Sequence, residues 1–154
     1  VGNGVLIVLA KEIMTKNVIS VKPEASIREL AELLLAERIS GVPVVDDAGT
    51  LCGIVSESDL MRKEIAPEMP DELCILGAVI YYNGLQEYRD AFRKFAAMTA
   101  QEIMTEKVLT VKVDDDVSKV AKLMLNKHIK RLPVMDGTSL VGIISRSDIV
   151  KMLL

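Results

Sequence analysis

The chain has 154 residues, half of them hydrophobic, enough to bury a sizeable core as one compact unit or two small halves and too many for a disordered chain. Its net charge of −3, with acidic and basic residues near balance, leaves no electrostatic footprint for nucleic acid. One histidine, His128, and two cysteines outside any C-x-x-C pair, Cys52 and Cys74, give a zinc site or a Ser/His/Asp triad almost no material, and both thiols read as reduced core residues of a cytoplasmic protein.

The opening stretch VGNGVLIVLA lacks the positive flank of a signal peptide, and no apolar run approaches the length of a membrane span. Residues 1–10 are expected to be a leader or an extra strand. From Lys11, the segment KEIMTKNVISVKPEAS reads as a short turn of helix around Ile13 and Met14, then a brief strand from Val18 to Val21 that stops at Pro23. Ser26 and Glu29 form an S-x-x-E capping box, and Ile27, Leu30, Ala31, Leu34 and Leu35 recur at helical spacing, so a helix is predicted from Ile27 to Arg38. Val42 to Val45 and Leu51 to Val55, separated by Asp46, Asp47, Ala48 and Gly49, predict a hairpin.

The stretch GIVSESD at 53–59 then turns a buried strand directly into a helix, and it recurs as GIISRSD at 142–148. Met14 and Met104 stand 90 residues apart, as do Pro43 and Pro133, while Gly53 and Gly142 stand 89 apart, so the second copy has one residue fewer in its hairpin turn. Its helix is predicted from Val117, Val120, Ala121, Met124 and Leu125, capped by Asp116. The expected organisation is residues 1–10, a first copy at 11–64, an insert at 65–101 and a second copy at 102–154. All five aromatic residues lie in the insert, where Leu85, Tyr88, Phe92 and Phe95 share a helical face that suits a satellite cluster, a lid or a subunit contact.

In each repeated turn, Ser56 with Asp59 and Ser145 with Asp148 fit an S-x-x-D capping box, which a helix start alone is enough to explain. A second hydroxyl, from Ser58 and Ser147, sits in the same turn beside free N–H groups, an environment that suits a phosphate. The aspartate suits two adjacent hydroxyls such as those of a ribose.

The paired motifs IMTKNVISVKP and IMTEKVLTVKV, ISGVPVVD and IKRLPVMD, and GIVSESD and GIISRSD make each copy similar to cystathionine-beta-synthase (CBS) domains, and the pair resembles a Bateman module. The resemblance implies an α/β (α+β) fold of two pseudo-symmetric repeats, each a small three-stranded sheet with helices, packed sheet to sheet with a helical insert between them. It also implies a regulatory, non-enzymatic role: an adenosine nucleotide (AMP, ADP or ATP) or S-adenosylmethionine bound in clefts between the repeats and changing their conformation. No catalytic residue, metal or required cofactor is expected. By the same likeness Asp59 and Asp148 hold the ribose, Ser56, Ser58, Ser145 and Ser147 approach ribose or phosphate, Ser20 and Thr110 meet the adenine, and Val42-Pro43 and Leu132-Pro133 wall the ring. Lys130 and Arg131 stand where binding relatives often place a cation for phosphates, whereas the first copy has Ser40 and Gly41, so one site is expected to bind better unless Arg38 or Arg146 substitutes. The expected partners are the adenosyl ligand, a second copy in a homodimer and an effector protein. A ligand-free structural or interaction module is the competing reading, and a nucleotide-processing enzyme is disfavoured by the shortage of acid/base groups.

Overall fold

The computed structural model describes residues 6–154, so the first half of the stretch 1–10 lies outside the described residues. The described chain forms α1 (Ala10–Ile13), α2 (Ile27–Glu37), β1 (Gly41–Val45), β2 (Leu51–Ser56), α3 (Glu57–Met61), a 3-10 turn (Arg62–Glu64), β3 (Asp71–Ile75) and β4 (Ala78–Asn83). It continues with α4 (Leu85–Ala96), α5 (Ala100–Ile103), β5 (Val111–Lys112), α6 (Val117–Asn126), β6 (Arg131–Asp136), β7 (Ser139–Ser145) and α7 (Arg146–Lys151). The predicted helix starts hold: Ser26 Oγ accepts from the Glu29 N–H, and Asp116 Oδ1 from the Ser118 N–H at 2.8 Å.

Two compact units interleave along the chain. One contains residues 6–20, 46–51 and 107–154 of the described chain, and the other contains residues 21–45 and 52–106.

In the first unit, β5 pairs parallel with β6 and β6 pairs antiparallel with β7. Ala10, Val111, Val120, Met124, Leu132, Val134 and Ile144 form the buried cluster, and Ile13, Met14, Ile129 and Ile149 pack around it. The N-terminal segment is built in by main-chain bonds: Val117 N–H donates to the Val8 carbonyl, Ala10 N–H to the Asp115 carbonyl, and Thr15 and Ile143 exchange both of theirs. Asp115 anchors the turn before α6, accepting from the Lys112 N–H at 2.8 Å and from the Lys119 ammonium at 3.1 Å. The Lys112 N–H, with Lys119 adding to it, holds the Asp115 carboxyl below the usual carboxylate range against the opposing effect of burial. Beyond α6, His128 sits in the left-handed region (φ 54). Ile129 N–H reaches back to the Met124 carbonyl and His128 N–H to that of Leu125, the bond pattern of a Schellman motif.

In the second unit, β1 and β2 form a two-stranded sheet, and the brief strand expected before Pro23 is reduced to one parallel bridge, Val21 to Val44. Leu30, Leu34, Val42, Val44, Val55, Ala97, Ala100 and Ile103 are buried. The stretch Ala97–Glu106 joins this unit as α1 and its neighbours join the other, with Ile54 and Thr105 exchanging backbone bonds at 3.0 and 2.9 Å.

The insert carries a β3–β4 hairpin in addition to α4. Its turn is Leu76-Gly77, both left-handed, and Gly84 leads into α4 with φ 78. Every residue from 71 to 83 is exposed, and this corrects the expectation that Cys74 is a core residue. A hairpin with no third strand or covering helix has no interior in which to bury a side chain. Cys52, on β2, is half-buried.

Candidate functional site

The two strand-to-helix turns are built alike by local chemistry. Ser56 and Ser145 are extended residues that end β2 and β7 and cap α3 and α7. In the first turn the Asp59 Oδ2 accepts from the Ser56 N–H at 2.9 Å and from its hydroxyl at 3.2 Å. In the second, the Asp148 Oδ2 accepts from the Ser145 N–H at 2.8 Å and from its hydroxyl at 3.0 Å. Since the Ser145 proton goes to Asp148, Ser147 is the donor in the 2.8 Å contact between the two serine hydroxyls. Each turn is also tied to the residue just before the first strand of its hairpin: Glu57 N–H donates to the Ser40 carbonyl, ahead of β1, and Arg146 N–H to that of Lys130, ahead of β6.

In the second turn these bonds assemble the predicted set. Arg131 pairs with Ser145 across β6 and β7, and Arg146 Nε adds a bond to the Ile129 carbonyl at 3.1 Å. Lys130, Arg131, Ser145, Arg146, Ser147 and Asp148 therefore converge at one end of the sheet. Lys130, Arg146 and Ser147 are exposed, while Arg131, Ser145 and Asp148 are half-buried. Thr110 is exposed just before Val111, which pairs with Val134. Leu132 and Pro133 lie in the same strand with their side chains fully buried.

The first turn differs where it meets the insert. Asp59 is buried, and its Oδ1 takes the ammonium of Lys94, a residue of α4. Lys94 also donates to the Ile103 carbonyl at 3.1 Å and to Thr105 Oγ1 at 3.5 Å. Lys63 donates to the carbonyls of Phe95 and Ala97, holding the C-terminal end of α4, where a cation also suits the helix dipole. Removing one partner of this pair would leave the other charge buried and unpaired, at a cost of about 3–5 kcal/mol. In the second turn, by contrast, Asp148 Oδ1 takes no hydrogen bond among the described residues. Ser58 is exposed, Ser20 is exposed beside Val21, and Val42 and Pro43 are fully buried in β1.

Lys94 is the residue that reading the sequence missed. It lies 35 positions from Asp59, and among the charged residues of an amphipathic helix nothing distinguishes it. No cluster of histidine, cysteine, aspartate or glutamate suited to a metal occurs among the described residues, and none of their helices is long and apolar enough to cross a membrane.

The family model for the CBS domain matches residues 10–65 and 100–154. An uncharacterised protein of Methanocaldococcus jannaschii, MJ1426, is 32% identical over 96% of this chain and 92% of its own length. The chloroplastic CBS domain-containing protein CBSX2 of Arabidopsis thaliana is 30% identical over 88% of this chain and 58% of its own. The crystal structure of CBSX2 in complex with AMP superposes with a TM-score of 0.79 at 29% identity, covering 94% of this chain and 95% of that one. The CBS domain pair of protein MJ0100 in complex with 5'-methylthioadenosine and S-adenosyl-L-methionine superposes with a TM-score of 0.70 at 28% identity, covering 96% and 97%.

Proposed function

This chain belongs to the CBS domain family as a tandem pair, and from that premise we propose that it is a regulatory module that binds an adenosyl ligand at the Ser145–Asp148 turn. The observation that carries this reading is the open Oδ1 of Asp148, in a turn whose serines are already ordered and whose neighbours include Lys130, Arg131 and Arg146. A ribose diol donates to a carboxylate, and a phosphate takes charge-assisted bonds from the cations. Complexes of relatives with AMP, and with 5'-methylthioadenosine and S-adenosyl-L-methionine, support the ligand class.

In this reading the ligand changes the conformation offered to an effector protein, and the module itself is not an enzyme, since a single histidine leaves few groups for acid/base chemistry. A complement of only two cysteines, Cys52 and Cys74, with no disulfide between them, supports a cytoplasmic location. A homodimer is supported by the hairpin, which exposes Leu73, Ile75, Val79, Ile80 and Tyr82 on two strands that only a further surface would cover. Light scattering that returns a monomer at all concentrations removes the homodimer.

The test of the ligand is a thermal-shift series with AMP, ADP, ATP and S-adenosylmethionine on protein freed of copurified nucleotide. At about 100 times its dissociation constant a ligand stabilises by roughly 2.7 kcal/mol, and that gain is expected to vanish in Asp148→Ala. No stabilisation by any of the four, in a wild-type protein shown to be folded, rejects the ligand and leaves the interaction module.

A further inference from the structure

Asp59 and Asp148 are matched residues in matched turns, yet only one of them has an oxygen to spare. We infer that Lys94 is a tethered cation that closes the first turn to a nucleotide, so that Asp59 anchors α4 and the Asp148 turn is the chain's single adenosyl site. The inference rests on the adenosyl reading of the Asp148 turn.

The donor and acceptor count carries it. The Lys94 ammonium has three donors and three partners, Asp59 Oδ1, the Ile103 carbonyl and Thr105 Oγ1. The side chains of Lys94 and Asp59 are only 12% and 9% exposed. A ribose that entered this turn would have to displace the ammonium. A neutral diol offers no charge in exchange, so it would strand a buried cation and take over a buried anion. Nor does α4 yield easily, because Lys63 grips the carbonyls of Phe95 and Ala97 on either side of the last helical residue, Ala96. The inequivalence of the two turns therefore has a second source besides the cations before Leu132: the insert fills one of them.

Isothermal titration with AMP, and separately with S-adenosylmethionine, tests the closure on the full chain. The wild type is expected to bind one molecule per chain, and Asp148→Ala to lose it. Lys94→Met, and Lys94→Gln as a second variant of similar length, are expected to bind two, with the added site lost again when Asp59→Ala is combined with either. One Asp148-dependent site in the wild type and in both Lys94 variants overturns the closure and leaves the adenosyl reading intact, as do two sites in the wild type. Binding in none of the proteins overturns both. Should the variants fail to fold, acetylation of the unmodified protein read by mass spectrometry decides: Lys94 is expected to react about tenfold more slowly than exposed Lys11, and equal rates overturn the closure.

Discussion

Met14 lies against the bare backbone of Gly142, so closely that a Cβ on this glycine would overlap its Sδ and come within 2.8 Å of its Cγ. Met104 and Gly53 stand in the same relation, with a built Cβ 2.6 Å from the sulfur and 2.8 Å from the Thr105 carbonyl. Glycine at these two positions is what lets a short helical turn settle onto the strand and exchange backbone bonds through Thr15 with Ile143 and through Thr105 with Ile54.

Alanine at either glycine is expected to destabilise by about 1–3 kcal/mol, the usual cost of overpacking. The two should respond differently to a rescue. Met14→Ala in the Gly142→Ala background removes the overlaps with Sδ and Cγ, leaves only the residue 14 Cβ at 3.0 Å and should recover part of the loss, whereas Met104→Ala in Gly53→Ala leaves the clash with the Thr105 carbonyl at 2.8 Å. Urea unfolding of the four single and double variants measures this, and equal rescue in both would show that the backbone contact is not limiting.

The lowered carboxyl of Asp115 predicts an acid-sensitive contribution. Its native affinity for a proton is weaker than in the unfolded chain, so its stabilisation is complete above the ordinary carboxylate value near 3.9 and fades as pH falls through the native one. Asp115→Asn is expected to cost about 1 kcal/mol at pH 7, with the gap to the wild type closing below about pH 4. A gap that stays constant through that range would show that the charge at this turn contributes nothing.

His128 pays a conformational cost at the end of α6, where it holds φ 54 with an exposed side chain. Arg38, its match in the first copy, holds φ 53 at the end of α2. His128→Gly is expected to stabilise the protein by about 0.5–1 kcal/mol, since glycine adopts this conformation without a Cβ penalty. Thermal denaturation checks the sign, and a loss of stability would mean that the imidazole makes a compensating contact.

Much of the candidate site is legible one turn at a time. A capping box spans three residues, so Ser145 with Asp148 and Ser56 with Asp59 announce themselves in the sequence, as do Ser26 with Glu29 and Asp116 at the helix starts. The β1–β2 and β6–β7 hairpins are legible because strand alternation and turn residues are local as well, whereas the β3–β4 hairpin reads in the sequence only as an apolar run. Cys74 misleads for the same reason: an apolar run looks like core, but burial depends on a covering surface, and the hairpin has none within its unit.

The sequence by itself determined the duplication, the family, the helix caps and the paired serine–aspartate turns, because each of these is a repeated or short-range pattern. Only the tertiary structure decided which opening joins which body. Met14 and Met104 are interchangeable in the motif, as are Gly53 and Gly142, so either pairing satisfies the sequence, and the packing places Met14 on Gly142 and Met104 on Gly53. It likewise decided which aspartate keeps an open oxygen, because Lys94 is brought to Asp59 by the docking of a helix 35 residues further on, and no local period records that contact.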